Sequence, residues 1–119
     1  MAAAKRVYHA ALASEWEAAQ ASGSYEISSL GLTLAEVGFI HASFARQVPG
    51  VLKRYYQDVE GPLVVLHLDV RKLGQRLRVE ALGSREEFPH VYGPIEPDDV
   101  VAVDVVERQE GNPRWVWSR

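Results

Sequence analysis

The segment Val100-Val-Ala-Val-Asp-Val-Val-Glu107 is an almost unbroken β-branched run, and it limits the folds open to this chain more than any other stretch. Side chains branched at Cβ are stiff about χ1, which disfavours a helix and suits a pleated surface. With valine at both parities, the run predicts a strand covered on both faces. Leu63 to Val70 alternates, with Val64, Leu66, Leu68 and Val70 on one face and Leu63, Val65, His67 and Asp69 on the other. Gln75 to Leu82 alternates as well, and Arg114 to Ser118 predicts a last short strand with Trp115 and Trp117 on one side. The second half of the chain therefore reads as β.

The first half carries helix signals. Arg6 to Ala10 predicts a short first strand, and Ser14-Glu-Trp-Glu17 has the spacing of a capping box before a helix from about Glu15 to Ser22 that buries Trp16 and Ala19. Gly23 suits its left-handed end. Thr33-Leu-Ala-Glu36 repeats the capping signature before a single turn ended by Gly38. Phe39-Ile-His-Ala predicts a short strand, with Ser43 placed to cap the next helix. Val48, Val51, Leu52 and Tyr55 recur there at helical spacing, and Pro49 marks the first turn. Phe88-Pro-His-Val-Tyr-Gly-Pro-Ile reads as a stiff loop carrying His90 and Tyr92. Helices first and strands later predict an α+β chain, organised as a single domain over residues 1–119.

Composition removes several function classes. Thirteen Lys plus Arg against sixteen Asp plus Glu leave a net charge of −3, so there is no electrostatic footprint for nonspecific nucleic-acid binding. The absence of cysteine excludes disulfides, thiolate chemistry and cysteine-type zinc sites. No apolar stretch approaches the roughly 20 residues that span a bilayer. The start, Met1-Ala-Ala-Ala-Lys-Arg-Val-Tyr8, lacks an apolar signal core, so a cytoplasmic location is expected. Nothing in the sequence sets the oligomeric state.

Four histidines are the candidates for chemistry: His9, His41, His67 and His90. His9 and His41 stand in short apolar strands, each followed by a turn or helix start, and strand ends and stiff loops are where a scaffold brings side chains together at a cleft. A lone histidine in an apolar strand is ordinarily a hydrogen-bonded core residue, and that reading stands beside the first. His41 and Ser43, two apart on extended chain, face the same way; the flanks lack the Gly-x-Ser-x-Gly elbow of a nucleophilic serine. Gln47 opens the following helix, from where its amide could reach the same cleft. Glu80 beside Arg76 and Arg78 is either a rung of a solvated charge ladder or a carboxylate at the cleft rim. His67 and Asp69 at i and i+2 could share a metal ion, although a turn or cap is the ordinary role for Asp69, and no strong metal-ligand spacing is present.

Val7-Tyr-His-Ala followed by Trp16, then Ser29-Leu30, Gly38-Phe-Ile-His-Ala-Ser43, Gln47, the Leu63–Val70 strand, Glu80 and Phe88-Pro-His-Val-Tyr-Gly-Pro94 resemble the domain of unknown function number 952 family of small bacterial and plant proteins. The resemblance runs over nearly the whole chain. That family is in turn similar to the ADP-ribosyltransferase-like fold, in its RNA 2′-phosphotransferase branch, which implies a split, bent β-sheet with few helices and a cleft for NAD or an ADP-ribose-like group. On this resemblance His9 and His41 hold ribose or phosphate with Ser43 and Gln47 assisting, and Tyr92 stacks on or caps the leaving ring. Glu80 is the nearest counterpart, by order, of the glutamate of the classical transferases, and His90 and Tyr92 stand where they could take over its position. The function expected is binding of a nucleotide-like small molecule such as NAD, with ADP-ribosyl transfer or glycosidic-bond cleavage by Glu80, His41 and His90. The alternatives are a non-catalytic binding module for a small anionic metabolite and a metal-dependent hydrolase built on His67, Asp69 and a second histidine from among His9, His41 and His90.

Overall fold

The alternating strand that begins at Leu63, and not the β-branched run from Val100, takes the centre of the molecule. In the computed structural model, which describes residues 4–83, 85–108 and 114–117, β5 (Leu63–Asp69) lies between β1 (Arg6–Leu12) and β8 (Val100–Val106) in an antiparallel three-stranded sheet. Every residue of β5 from Leu63 to Leu68 is buried. On one face, Val64, Leu66 and Leu68 pack with Trp16 and Ala19 of α1 (Ala13–Ser22) and with Ile40, Val91 and Ile95. On the other, Leu63 and Val65 meet Val48, Leu52 and Tyr56 from α3 (Val48–Tyr55) and its end, with Trp115 and Trp117 against them. Each fully buried side chain of this size contributes about 1.5–3 kcal/mol.

The β-branched run that forms β8 is covered differently from the expectation. Val101, Val103 and Val105 are 40, 40 and 65% exposed, because β8 lies at the edge of the sheet with this face left uncovered. β-branching makes the chain extend; it does not say how many layers lie over it.

A second antiparallel sheet has the order β4 (Ile40–His41), β7 (Phe88–Val91), β6 (Leu77–Glu80). The expected stiff loop from Phe88 is thus a central strand up to Val91. Pro89 is tolerated because β4 has ended beside it, and what the flank needs is a carbonyl: Ala42 N–H donates to Pro89 O at 3.1 Å. The small hairpin of β2 (Ile27–Ser29) and β3 (Leu32–Thr33) leads into α2 (Leu34–Val37), and α4 (Val70–Leu73) follows β5 directly.

The turns follow local chemistry in part. Thr33 and Glu36 form the expected capping box, and Gly38 and Gly23 end their helices in the left-handed region. The Ser14 box does not form. β1 runs on to Leu12, pairs with Leu63, and passes straight into α1, with Ala13 N–H donating to Pro62 O at 2.9 Å. Ser14 therefore lies inside the first turn. Ser43 caps nothing either: Gln47 supplies the acceptor for the next turn, its Oε1 taking the N–H of Phe44 at 2.9 Å. At Gly61, with φ of +86°, a Cβ would fall 2.7 Å from the Trp115 ring, so only glycine fits.

The architecture is α+β, with antiparallel sheets and a few short helices. No helix among the described residues is long and apolar enough to cross a membrane.

Candidate functional site

Besides their shared core, the two sheets are joined along the backbone by an isolated bridge, in which Tyr8 N–H donates to Ser43 O at 2.8 Å and Ser43 N–H donates to Tyr8 O at 2.7 Å. Past it the ladder stops. The next position along would pair Ala10 with His41, but the His41 carbonyl accepts instead from Nδ1 of His9 at 2.5 Å. A side chain has taken the place of a backbone rung, and the strands fork.

A cavity of about 500 Å³ opens at this fork. His9, His41, Ser43, Glu80 and His90 all line it, so three histidines spread over 82 residues of chain meet in one hollow. Backbone groups alternate in direction along a strand. Because Tyr8 points its N–H and C=O at β4, Ala10 points its own into the fork, and Ala10 lines the cavity too. Its carbonyl receives the Tyr56 hydroxyl at 3.4 Å.

His9 is a built-in part of the wall. It is 3% exposed, and with Nδ1 donating to His41 O its Nε2 accepts from the Tyr25 hydroxyl at 2.8 Å. Both ring nitrogens are occupied, which fixes the neutral tautomer. Burial pushes its pKa down from 6.5 to about 4, and burial likewise pushes the Tyr25 hydroxyl up. A ligand at this wall meets the edge of a saturated imidazole rather than a free donor.

Three further titratable side chains of the cavity, His41, Glu80 and His90, lie on the second sheet. His90, 5% exposed, sits opposite Arg78 on β6 and His41 on β4. Its Nδ1 donates to Glu80 Oε1 at 3.0 Å, and the same oxygen accepts the Tyr92 hydroxyl at 2.7 Å. Those two donors, Tyr92 first and His90 second, hold the Glu80 carboxyl below its usual range, and the shared carboxylate pushes the Tyr92 hydroxyl up. A histidine that donates through Nδ1 carries its lone pair on Nε2. His41 stands across from it with ring centroids 5.9 Å apart, and partial burial together with His90 lowers its pKa. Phe39 packs against His41, His90 and Tyr92 at 4.9, 4.4 and 5.4 Å. The result is a carboxylate-backed base beside a neutral imidazole, an arrangement suited to moving a proton at a bound hydroxyl.

Two expected ligand contacts fall outside the cavity wall. Gln47 is buried and fully engaged: its Nε2 donates to Glu86 Oε2 and Glu87 O, both at 2.8 Å, and its Oε1 serves Phe44. It ties the turn after β4 to the segment before β7. Tyr92 stands behind Glu80 with the Arg78 guanidinium 4.7 Å above its ring; it positions the carboxylate. His67 and Asp69 do not come together. His67 Nε2 donates to Asp104 Oδ2 at 2.6 Å, and Asp69 caps α4 through Arg71 N–H at 2.8 Å. Among the described residues no three acidic or histidine side chains gather as a metal-binding group.

Sequence reasoning missed much of the wall. Leu30, Leu32, Leu82 and Tyr55 form an exposed apolar rim, and Val51, Tyr56 and Phe88 lie within. Tyr55, expected on the apolar stripe of its helix, is 60% exposed, whereas its neighbour Tyr56 is core. No spacing signal points from Leu30 or Leu82 toward His90, because their meeting depends on how the sheets are set.

The crystal structure of protein CC0527 from Caulobacter crescentus is similar to this chain, at 27% identity over 93% of each chain with a TM-score of 0.79. The solution structure of CC0527 gives 29% identity, 91 and 90% coverage and a TM-score of 0.73. No curated protein matches the chain. The family described as a protein of unknown function, DUF952, matches residues 10–103, a stretch holding His41, Glu80, His90 and Tyr92 and beginning one residue after His9. With most of its length inside that match, the chain belongs to the DUF952 family.

Proposed function

We propose that the cavity binds NAD or an ADP-ribose-like nucleotide by its nucleoside end, and that Glu80 and His90 act on the bond between ribose and base. The observation that carries this reading is the convergence of His41, His90 and Glu80 with the open backbone edge at Ala10 in one hollow of about 500 Å³, within the usual range for small-molecule sites. The fork between two small antiparallel sheets supports a relation to the ADP-ribosyltransferase-like fold, which is an analogy of architecture.

In this reading the N–H of Ala10, whose carbonyl already receives the Tyr56 hydroxyl, donates to a carboxamide oxygen such as that of nicotinamide. The apolar wall of Leu82, Val51 and Phe88 receives the ring. Breaking the glycosidic bond leaves an oxocarbenium-like ribose, and the Glu80 carboxylate stabilises that developing positive charge. The base departs with the bonding electron pair. An attacking hydroxyl, from water or an acceptor, forms the new bond to the ribose carbon and gives its proton to His90 Nε2.

Calorimetric titration with NAD and ADP-ribose, with nicotinamide release followed by chromatography, tests the reading. Saturable binding and a release rate that collapses in Glu80→Gln and His90→Ala are expected. Absence of both binding and release across pH 5–8, a range spanning the ordinary histidine pKa, overturns it. A second reading, binding without turnover, is favoured by the saturation of Glu80 Oε1 by two donors; heat of binding with no product distinguishes it.

A further inference from the structure

A second hollow, of about 420 Å³, lies on the far side of the Tyr8–Ser43 bridge and is lined by Ala4, Lys5, Arg6, Tyr8, Phe44, Ala45 and Arg46. Three of its seven lining residues are cations and none is acidic, in a chain whose net charge is −3. Tyr8 lines this hollow and the histidine cavity alike.

Arg6 and Arg46 are oriented by side-chain contacts, and Lys5 is anchored at its backbone. Arg6 Nη1 donates to His67 Nδ1 at 3.1 Å, and His67 is anchored in turn by Asp104. The Arg46 guanidinium lies 5.4 Å from the centroid of the Phe44 ring. Lys5 is fixed at the backbone, its carbonyl accepting Val70 N–H at 3.1 Å. Arg6 has the Asp104 carboxylate behind His67 as a countercharge, while Lys5 and Arg46 bring two further cations to the same concavity, and arginine forks suit phosphate oxygens. An extended polyanion such as nucleic acid would be repelled by the acidic remainder of the molecule, whereas a compact dianion would not.

We propose that this hollow binds a diphosphate; resting on the nucleotide reading of the cavity, it takes the diphosphate of the ligand whose nucleoside end lies beyond Tyr8. The probes are inorganic pyrophosphate and ADP-ribose, each titrated into the ¹⁵N-labelled protein. Pyrophosphate is expected to shift the amides of residues 4–8 and 44–46, and Arg46→Glu and Lys5→Glu each to weaken its binding roughly tenfold, as loss of a charge-assisted contact does. Both side chains are exposed, so unchanged thermal unfolding is expected and serves as the folding control. No pyrophosphate binding in the millimolar range, or binding indifferent to both charge reversals, overturns the proposal. Pyrophosphate binding that depends on Arg46, with ADP-ribose inert and NAD neither bound nor cleaved, upholds the diphosphate site and instead removes the nucleotide reading of the cavity. ADP-ribose binding unaffected by Arg46→Glu overturns the link between the two hollows.

Discussion

The imidazole of His9 donates to the main-chain carbonyl of His41 at 2.5 Å, and this one contact opens the sheet. Had Ala10 and His41 paired as Tyr8 and Ser43 do, the two sheets would continue into each other and the fork would close. His9, one of the side chains expected to touch a ligand, spends both nitrogens making the space for one.

Replacing His9 by alanine is therefore expected to destabilise the fold by about 2–4 kcal/mol, from the orphaned Tyr25 hydroxyl and His41 carbonyl and the void left behind. Urea unfolding of His9→Ala against the wild type measures this. A loss under about 0.5 kcal/mol, as at an exposed site, would sink the structural role.

The same residue makes stability depend on pH. His9 is held neutral, with a folded pKa of about 4 against 6.5 unfolded, so between those values the unfolded chain binds more protons. Its contribution is fully present above pH 6.5 and is lost as the pH falls toward 4, in total about 3 kcal/mol. Partial burial of His41 acts in the same direction. The urea midpoint should fall from pH 7 to pH 4, and fall less in His9→Gln; equal slopes in the two proteins would contradict the assignment.

Tyr92 is the first cause of the low pKa of Glu80. In Tyr92→Phe the Glu80 carboxyl should titrate at higher pH, seen by ¹³C NMR of its side chain, while His90 keeps its Nδ1 proton on the carboxylate. A Glu80 titration that does not move would show that the phenol merely packs there.

Gln47→Ala removes the acceptor of Phe44 N–H and the donor to Glu86 and Glu87. A loss of about 2–3 kcal/mol is expected at roughly 1 kcal/mol per hydrogen bond, with ligand affinity unchanged in whatever protein remains folded. Thermal unfolding and calorimetry together check it; a selective loss of affinity would return Gln47 to the site.

Within the sheet, the two valine-rich strands should respond oppositely. Leu66→Ala in β5 is expected to cost about 2–5 kcal/mol, whereas Val105→Thr, on the exposed face of β8, should stay within about 0.5 kcal/mol. Comparable losses at the two positions would mean that something covers β8.

The order of elements was legible along the chain because it rests on local physics. Alternation marked β5 and β6, a threonine–glutamate pair marked α2, and glycines marked the ends of α1 and α2. The errors came where a neighbour distant in sequence outbid the local signal. Ser14 lost its capping role to a strand that ran two residues further to pair with Leu63. Pro89 entered a strand because the strand beside it had already ended.

From the amino-acid order alone came the α+β class and the apolar strand from Leu63, which ends at Asp69 and not at Val70; both follow from side-chain shape and period, which are properties of short stretches. The expectation that separated histidines share a cleft came from their places at strand ends and from the family resemblance. Which histidine would be wall and which would carry a free nitrogen was settled only by the tertiary structure. Hydrogen-bond partners such as Tyr25, His41 O and Glu80 lie 16, 32 and 10 residues from the rings they hold, and an imidazole has no role until its two nitrogens have been assigned.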